Sequence, residues 1–148
     1  MHIEADLYKT VVASLPIVCV DLLIKVRESQ KYLFVRRNEE PMKGVLWPVG
    51  GRKYIGESFL EAAKRICARE ISAGEGSIIF SESPVGMYHD MFSCSSHGVH
   101  QYETLSVLMA GVAGIDDVGK FLVDATSSGL CEVSELPLRM TENTIFFG

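Results

Sequence analysis

The ten residues from Ile17 to Val26 (IVCVDLLIKV) limit the fold more than any other stretch. The run is apolar and β-branched in the manner of a strand buried on both faces, so the sheet containing it needs cover on both sides. It is not a membrane span. The longest apolar stretch, Val11 to Ile24, is too short and is broken by Pro16 and Asp21. A chain of 148 residues is expected to form one domain, residues 1–148, with a core that needs no disulfide or metal staple.

The flanking segments alternate in type. Leu7, Val11 and Val12 at helical spacing predict a short helix from Glu4 to Ser14, stopped by Pro16. Lys31 to Arg37 is the strand returning from a turn at residues 27–30, and a polar loop runs from Asn38 to Gly44. Trp47 to Gly51 tighten the chain into a Gly-Gly-Arg turn before a helix from Ser58 to Ile71, which a glycine is expected to close. Ser77 to Ser81, Val85 to Tyr88 and Leu105 to Val112 predict strands, the last of them central. Ser93 to His100 is a polar loop, and residues 116–117 make an acidic turn. Phe121 to Val123 and Leu130 to Val133 are weaker strands, and a last helix opens at Glu142 and runs toward Phe147. The fold class is α/β, a curved mixed sheet sandwiched between helices.

Several functions are disfavoured at once. Nineteen acidic against fourteen basic residues give a formal charge of −5, a poor balance for a nucleic-acid binder. Cys19, Cys67, Cys94 and Cys131 contain no CxxC pair, which points to buried or neutral thiols in a reducing cytosol. Glu4 and Asp6 stand where a secretory leader would carry basic residues, so a cytoplasmic location without membrane contact is expected. Gly114 to Lys120 fits the GxxxxGK phosphate loop, but Phe121 replaces the magnesium-binding hydroxyl and two aspartates would repel phosphate. His97 and His100 are spaced HxxH, with no third zinc ligand clearly placed.

The informative segment lies between Gly50 and Ser72. Gly51 is followed by five residues, Glu57, seven residues, then Arg65, Cys67 and Glu70. This spacing resembles the Nudix hydrolase signature, in which a glycine, a glutamate, an arginine, a hydrophobe and a glutamate stand at these intervals. The resemblance implies the Nudix α/β/α sandwich and makes Gly51, Glu57 and Arg65 structural motif residues, Glu57 bracing the glycine loop against the helix. Two signature glutamates are replaced here by Ile66 and Arg69, and the closing glycine by Ser72. Positions 66, 69 and 70 share one helix face, so a carboxylate cluster for several metals is reduced to Glu70 alone, with Arg69 adding repulsion against a second cation.

The GDP-mannose mannosyl hydrolase branch of that family lacks the same glutamates, and the chain resembles it beyond the helix. Asp6, Tyr8, Val11, Val12, Ser14 and Pro16 match its opening; Asp21, Arg36, Arg37, Pro41, Gly44 and the Gly50-Gly51-Arg52 segment follow in its order. The resemblance implies attack of water at the anomeric carbon of a nucleoside diphosphate sugar, of the GDP-mannose or GDP-glucose type, with release of GDP and free sugar. It implies one Mg²⁺ per site, with Mn²⁺ as a substitute, held by Glu70 and the Gly50 carbonyl; Glu103, just before the central strand, is a further candidate ligand. Arg37 and Arg52 would grip the diphosphate, a task suited to a planar, permanently charged fork. Asp21, Tyr88 and His89 are further substrate-binding candidates; a charge inside an apolar strand, as at Asp21, is costly unless paired or used.

The branch's glutamine and histidine beyond the central strand have no counterpart, since neither residue type occurs after Val112. The general base is therefore left among His100, His89 and Glu103, with histidine the natural choice near neutral pH. The expected partner is a small nucleotide sugar, with no nucleic acid and no membrane, and a homodimer is compatible with this reading. The alternatives are a Nudix diphosphatase cleaving at phosphorus and a degenerate nucleotide-binding module without turnover.

Overall fold

In the computed structural model, which describes residues 2–40, 42–93, 98 and 101–148, the apolar run becomes a central strand. In chain order the elements are α1 (Ala5–Ser14), β1 (Ile17–Val26), β2 (Tyr32–Arg37), β3 (Leu46–Trp47), β4 (Val49–Arg52), α2 (Phe59–Ile71) and β5 (Ile78–Phe80). They continue with β6 (Gly86–Phe92), β7 (Tyr102–Ala113), α3 (Ile115–Val118), β8 (Ser127–Val133), α4 (Leu138–Asn143) and β9 (Ile145–Phe146).

One edge of β1 runs parallel to β7 along its full length, from Ile17 opposite Thr104 to Val26 opposite Ala113. The other edge is shared. Residues 19–22 pair antiparallel with β4, setting Asp21 opposite Gly50, and Lys25 pairs with Tyr32 of β2. Beyond β7 the sheet continues through β6 to β9, and beyond β2 to β3, with β8 also on β2 and β5 on β7. Alternation along β1 serves two cores. Val20, Leu22, Ile24 and Val26 join Ala62, Ala63, Ile66, Cys67 and Ile71 of α2, whereas Leu23 joins Phe34, Tyr88, Leu108 and Met140 of α4. The mixed sheet thus has a helix packed on each face, the α/β arrangement expected.

Helix α2 begins where the sequence places it because Ser58 and Glu61 close a capping box: Glu61 N donates to Ser58 Oγ (3.1 Å) and Ser58 N to Glu61 Oε2 (2.7 Å). Its end differs from expectation. Ser72, not a glycine, takes the left-handed cap position at φ 53°, a conformation costing a non-glycine residue about 1 kcal/mol. The carbonyls of Glu70 and Ile71 are satisfied from outside the helix, by the N–H groups of Asp124 (2.9 Å) and Leu122 (2.9 Å). For this reason the strand expected at Phe121 to Val123 does not form: its backbone is engaged in capping α2.

Three other expectations are corrected. The Gly-Gly-Arg segment is strand β4 rather than a turn, because its backbone completes the edge of β1. The acidic turn at 116–117 closes into the one-turn helix α3. The last helix lies earlier, as α4, since Pro137 fixes its start, and the β-branched and aromatic Ile145–Phe146 add β9 to the edge of β6 instead. Six residues of the expected loop, 94–97, 99 and 100, and with them His97 and His100, lie outside the described residues, as does Pro41.

The segment between β4 and α2 is pinned by Glu57 and Arg65. Arg65 Nε donates to Glu57 Oε2 (2.9 Å), and Arg65 Nη2 to Glu57 Oε1 (2.6 Å) and to the Arg52 carbonyl (2.9 Å). Tyr54 N also donates to Glu57 Oε1 (2.6 Å), and the Arg65 guanidinium lies 3.7 Å from the Tyr54 ring centre. The hydrogen bonds from Arg65, then that from Tyr54, hold the Glu57 carboxyl down at about 2 against an ordinary 4.5. A depressed carboxylate stabilises the fold above its unfolded pKa, and that contribution disappears as pH falls from about 4.5 toward 2. Glu57→Gln should therefore lower stability at pH 7 by about 2 kcal/mol, with the deficit shrinking as acid protonates the native glutamate. Urea unfolding at pH 7 and pH 3 checks both the size and the sign.

Candidate active site

A cleft of about 190 Å³ opens where β1, β2, β4 and the end of α2 converge, and Asp21, Arg37, Gly50, Gly51, Arg52 and Glu70 all line it. Tyr8 from α1, Trp47, Phe92 and Tyr102 add aromatic wall, and Thr126 closes the side next to Glu70. Six of the sequence-derived site and motif residues, from four separate stretches of the chain, thus meet in one place.

Asp21 is 4% exposed, yet it faces the cleft. Tyr88 Oη donates to its Oδ2, and Ser106 supplies a second hydrogen bond. Burial outweighs these bonds and the nearby Arg37, and pushes the Asp21 carboxyl up to about 6. Across the strand pair, a Cβ on Gly50 would lie 1.8 Å from Asp21 Oδ1. Gly50 is required here because the carboxylate occupies the volume of a side chain.

Glu70 presents two different oxygens. Oε1 is held by Arg69, through Nε (2.9 Å) and Nη2 (2.6 Å). Oε2 is 3.2 Å from Thr126 Oγ1, which also lies 2.5 Å from Asp124 Oδ1. The hydroxyl has one proton, and the shorter contact takes it, so Glu70 Oε2 keeps lone pairs for a cation. Glu70 Oε2, the threonine oxygen and the Gly50 carbonyl are hard donors that suit a single Mg²⁺ or Mn²⁺. Among the described residues no group of three or more His, Cys, Asp or Glu side chains is placed to hold a metal, and Ile66, at the position of a signature glutamate, is fully buried in the core.

Other sequence-derived candidates stand elsewhere. Tyr88 is buried behind the cleft and acts on Asp21, so it positions that carboxylate rather than lining the cavity. His89 alternates to the opposite face of the sheet from Tyr88 and is 70% exposed. Its Nδ1 lies 3.8 Å from Glu103 Oε1, and neither residue lines the cleft. The pleat separates them from Asp21, because the strand alternation that turns Tyr88 and Ser106 toward that carboxylate turns His89 and Glu103 to the opposite face. His100 lies outside the described residues.

The structure also supplies groups that sequence reasoning missed. Arg69, expected only to repel a second cation, also pairs directly with Glu70. Asp124 and Thr126 reach the site because their segment caps α2; the Asp-x-Thr turn, with Thr126 N donating to Asp124 Oδ1 (2.9 Å), was the available signal. Arg139 of α4 donates to the buried Asp90 (2.7 and 3.1 Å) and lies 5.7 Å from the Trp47 ring and 5.5 Å from that of Phe92, bracing the aromatic wall.

No family model and no curated protein sequence matches this chain. Solved structures do. The MutT protein of Methanosarcina mazei Go1 superposes with a TM-score of 0.62 at 18% identity, over 82% of this chain and 79% of that one. The NUDIX domain of Shewanella oneidensis NrtR, solved in complex with ADP ribose, gives a TM-score of 0.55 at 18% identity, covering 80% and 73%. A C. elegans Ap4A hydrolase in a binary complex gives 0.59 at 12% identity, covering 78% of each chain.

The chain has the Nudix fold.

Within this Nudix fold the cleft combines a cationic floor with one strained carboxylate, and that strain is measurable. A carboxyl raised to about 6 contributes stability that is fully present below its unfolded pKa and is lost as pH rises through 6. Asp21→Asn should remove that decline, leaving the variant more stable than the wild type at pH 7 by up to about 3 kcal/mol and less different at pH 4. Thermal melts in EDTA at the two pH values read this out. Gly50→Ala should destabilise by about 2 kcal/mol or more, and pairing it with Asp21→Ala should recover most of the loss. A strictly additive double variant would refute the close approach.

Proposed function

We propose that this protein is a hydrolase of a nucleoside diphosphate sugar, cleaving between the anomeric carbon and oxygen to release a nucleoside diphosphate and free sugar. The observation that carries the reading is the composition of the cleft: Arg37 and Arg52 beside a single signature carboxylate, with Ile66 in the core where a metal-binding glutamate would stand. Attack at phosphorus in a carboxylate-cluster site uses several metals to activate water and clamp the phosphoryl group. Attack at carbon needs a base for water and charge neutralisation on the departing diphosphate. The residues present suit the second task. The neighbours' ligands, ADP ribose and the substrate named for Ap4A hydrolase, are likewise nucleotides linked through phosphates.

In this reading Arg37 and Arg52 bind the diphosphate oxygens through paired, charge-assisted hydrogen bonds that strengthen as the leaving group gains charge. A single Mg²⁺, with Glu70, Thr126 and the Gly50 carbonyl as its protein donors, would supply further neutralisation of that charge. Asp21 is the carboxylate left to take a proton from water, because Glu70 is engaged with Arg69. Tyr88 and Ser106 hold the Asp21 carboxyl in place for that role. The aromatic wall excludes water from the rest of the cleft and offers faces for a base or sugar ring. GDP-mannose or GDP-glucose is the first choice of substrate, on the resemblance to the mannosyl hydrolase branch.

Turnover in ¹⁸O-labelled water over a panel of nucleotide sugars tests the reading. Label should enter the released sugar and none the nucleotide. Arg37→Ala and Arg52→Ala should each lower kcat by about 10²–10³-fold. Asp21→Asn should lower it by about 10²–10⁴-fold if Asp21 is the base, and His100→Ala should do so if His100 is. Label in a nucleoside monophosphate or sugar phosphate would replace this reading with a diphosphatase. Tight binding without products would replace it with a nucleotide-binding module.

A further inference from the structure

Residues 69 and 70 are neighbours on a helix, about 100° apart around its axis, and side chains so placed do not normally face each other. Arg69 nevertheless doubles back on Glu70 with two nitrogens on the same oxygen, Nε at 2.9 Å and Nη2 at 2.6 Å from Oε1. Its third nitrogen, Nη1, lies 3.4 Å from Tyr54 Oη. Space for this arrangement comes from Gly51, where a Cβ would stand 2.9 Å from Arg69 Nη2. The guanidinium is thus laid over the glycine strand that lines the cleft, and it stays 47% exposed while Glu70 is 14% exposed. A solvated surface arginine would need neither the glycine beneath it nor a two-point grip on a half-buried carboxylate.

We propose that Arg69 is the resident cation of the site: it takes the place beside Glu70 Oε1 that a second metal ion would need, and it keeps the cleft able to bind a diphosphate when no divalent ion is present. The proposal deepens the diphosphate reading above and rests on it. Arg37 and Arg52 line the cleft, and Arg69 lies against Glu70 and Gly51, which line it too, so three fixed positive charges stand in or beside a site with Asp21 and Glu70, in a chain whose formal charge is −5. Arg69 also sits in the last turn of α2, where a cation is favoured by the helix dipole. The exposed side of its guanidinium is available to phosphate oxygens, to which arginine makes directional, paired bonds. Two consequences follow for this chain's own residues. Glu70 is a weak metal ligand in the free protein, because a cation must share it with Arg69. A diphosphate is held by arginines without metal assistance.

Both consequences can be read without turnover. Mn²⁺ binding is measured by the loss of the free-ion electron paramagnetic resonance signal, and inorganic pyrophosphate binding by calorimetry in EDTA, for wild type, Arg69→Gln and Arg69→Lys. Arg69→Gln should bind Mn²⁺ about tenfold more tightly and pyrophosphate about tenfold more weakly. Arg69→Lys, which keeps the charge and loses the fork, should gain Mn²⁺ affinity and retain part of the pyrophosphate affinity, and it decides the matter if the glutamine variant does not fold. Unchanged or weaker Mn²⁺ binding in these variants, or undiminished pyrophosphate binding by Arg69→Gln, overturns the proposal. A protein that shows both shifts but hydrolyses no nucleotide sugar keeps the role of Arg69 and loses the substrate reading. One that hydrolyses nucleotide sugars and shows neither shift does the reverse.

Discussion

Asp21 occupies the volume that a side chain on Gly50 would need, and the surroundings of the cleft are arranged around that contact. The register of β1 with β4 sets the two residues opposite each other, and the register of β1 with β7 brings Ser106 to the same carboxylate. A shift of one residue in either pairing would turn Asp21 to the other face, into the apolar core under α2. The cost of an unpaired buried carboxylate there gives the sheet a strong reason to keep its register. A residue that weakens the fold at neutral pH therefore also specifies it, and it ends in the cleft with a raised pKa.

The C-terminal end of α2 is the second organising point. Helices leave their last carbonyls without partners, and here the chain supplies them from residues 122 and 124. That choice forfeits a strand at Phe121 to Val123 and carries Asp124 and Thr126 to Glu70. The left-handed Ser72 belongs to the same compromise, since the carbonyls a glycine-closed cap would satisfy internally are partly satisfied by the distant segment.

These two points explain what could be seen in the sequence and what could not. The central strand, the capping box, and the spacing of Glu57 and Arg65 are local patterns with period or distance signals, and they were legible. So was the convergence of Asp21, Arg37, Arg52 and Glu70, through the resemblance to a known signature. The pairing of Arg69 with Glu70 was not, because neighbours on a helix are expected to diverge, and only the contact with Gly51 shows why they do not. Asp90 with Arg139 joins residues almost fifty positions apart through α4, an element whose position depends on Pro137 rather than on periodicity. His89 and Glu103 stand outside the cleft for a simple geometric reason: the pleat turns each of them away from Asp21.

The two departures from the signature act together rather than as separate losses. Ile66 fills the core against Gly51, where a carboxylate would face apolar side chains, and Arg69 lies against the same side of that glycine. Restoring the glutamate at position 66 alone would leave a buried carboxylate with Arg69 still beside Glu70 rather than a metal cluster. Under the proposed chemistry this pairing has a direction. A guanidinium neutralises a departing diphosphate well, but unlike a metal it cannot lower the pKa of a bound water and make it a nucleophile. Exchanging metal ligands for an arginine therefore keeps leaving-group stabilisation and gives up activation of water at phosphorus. In the proposed reaction such a cleft brings water to carbon, with a carboxylate such as Asp21 to receive its proton.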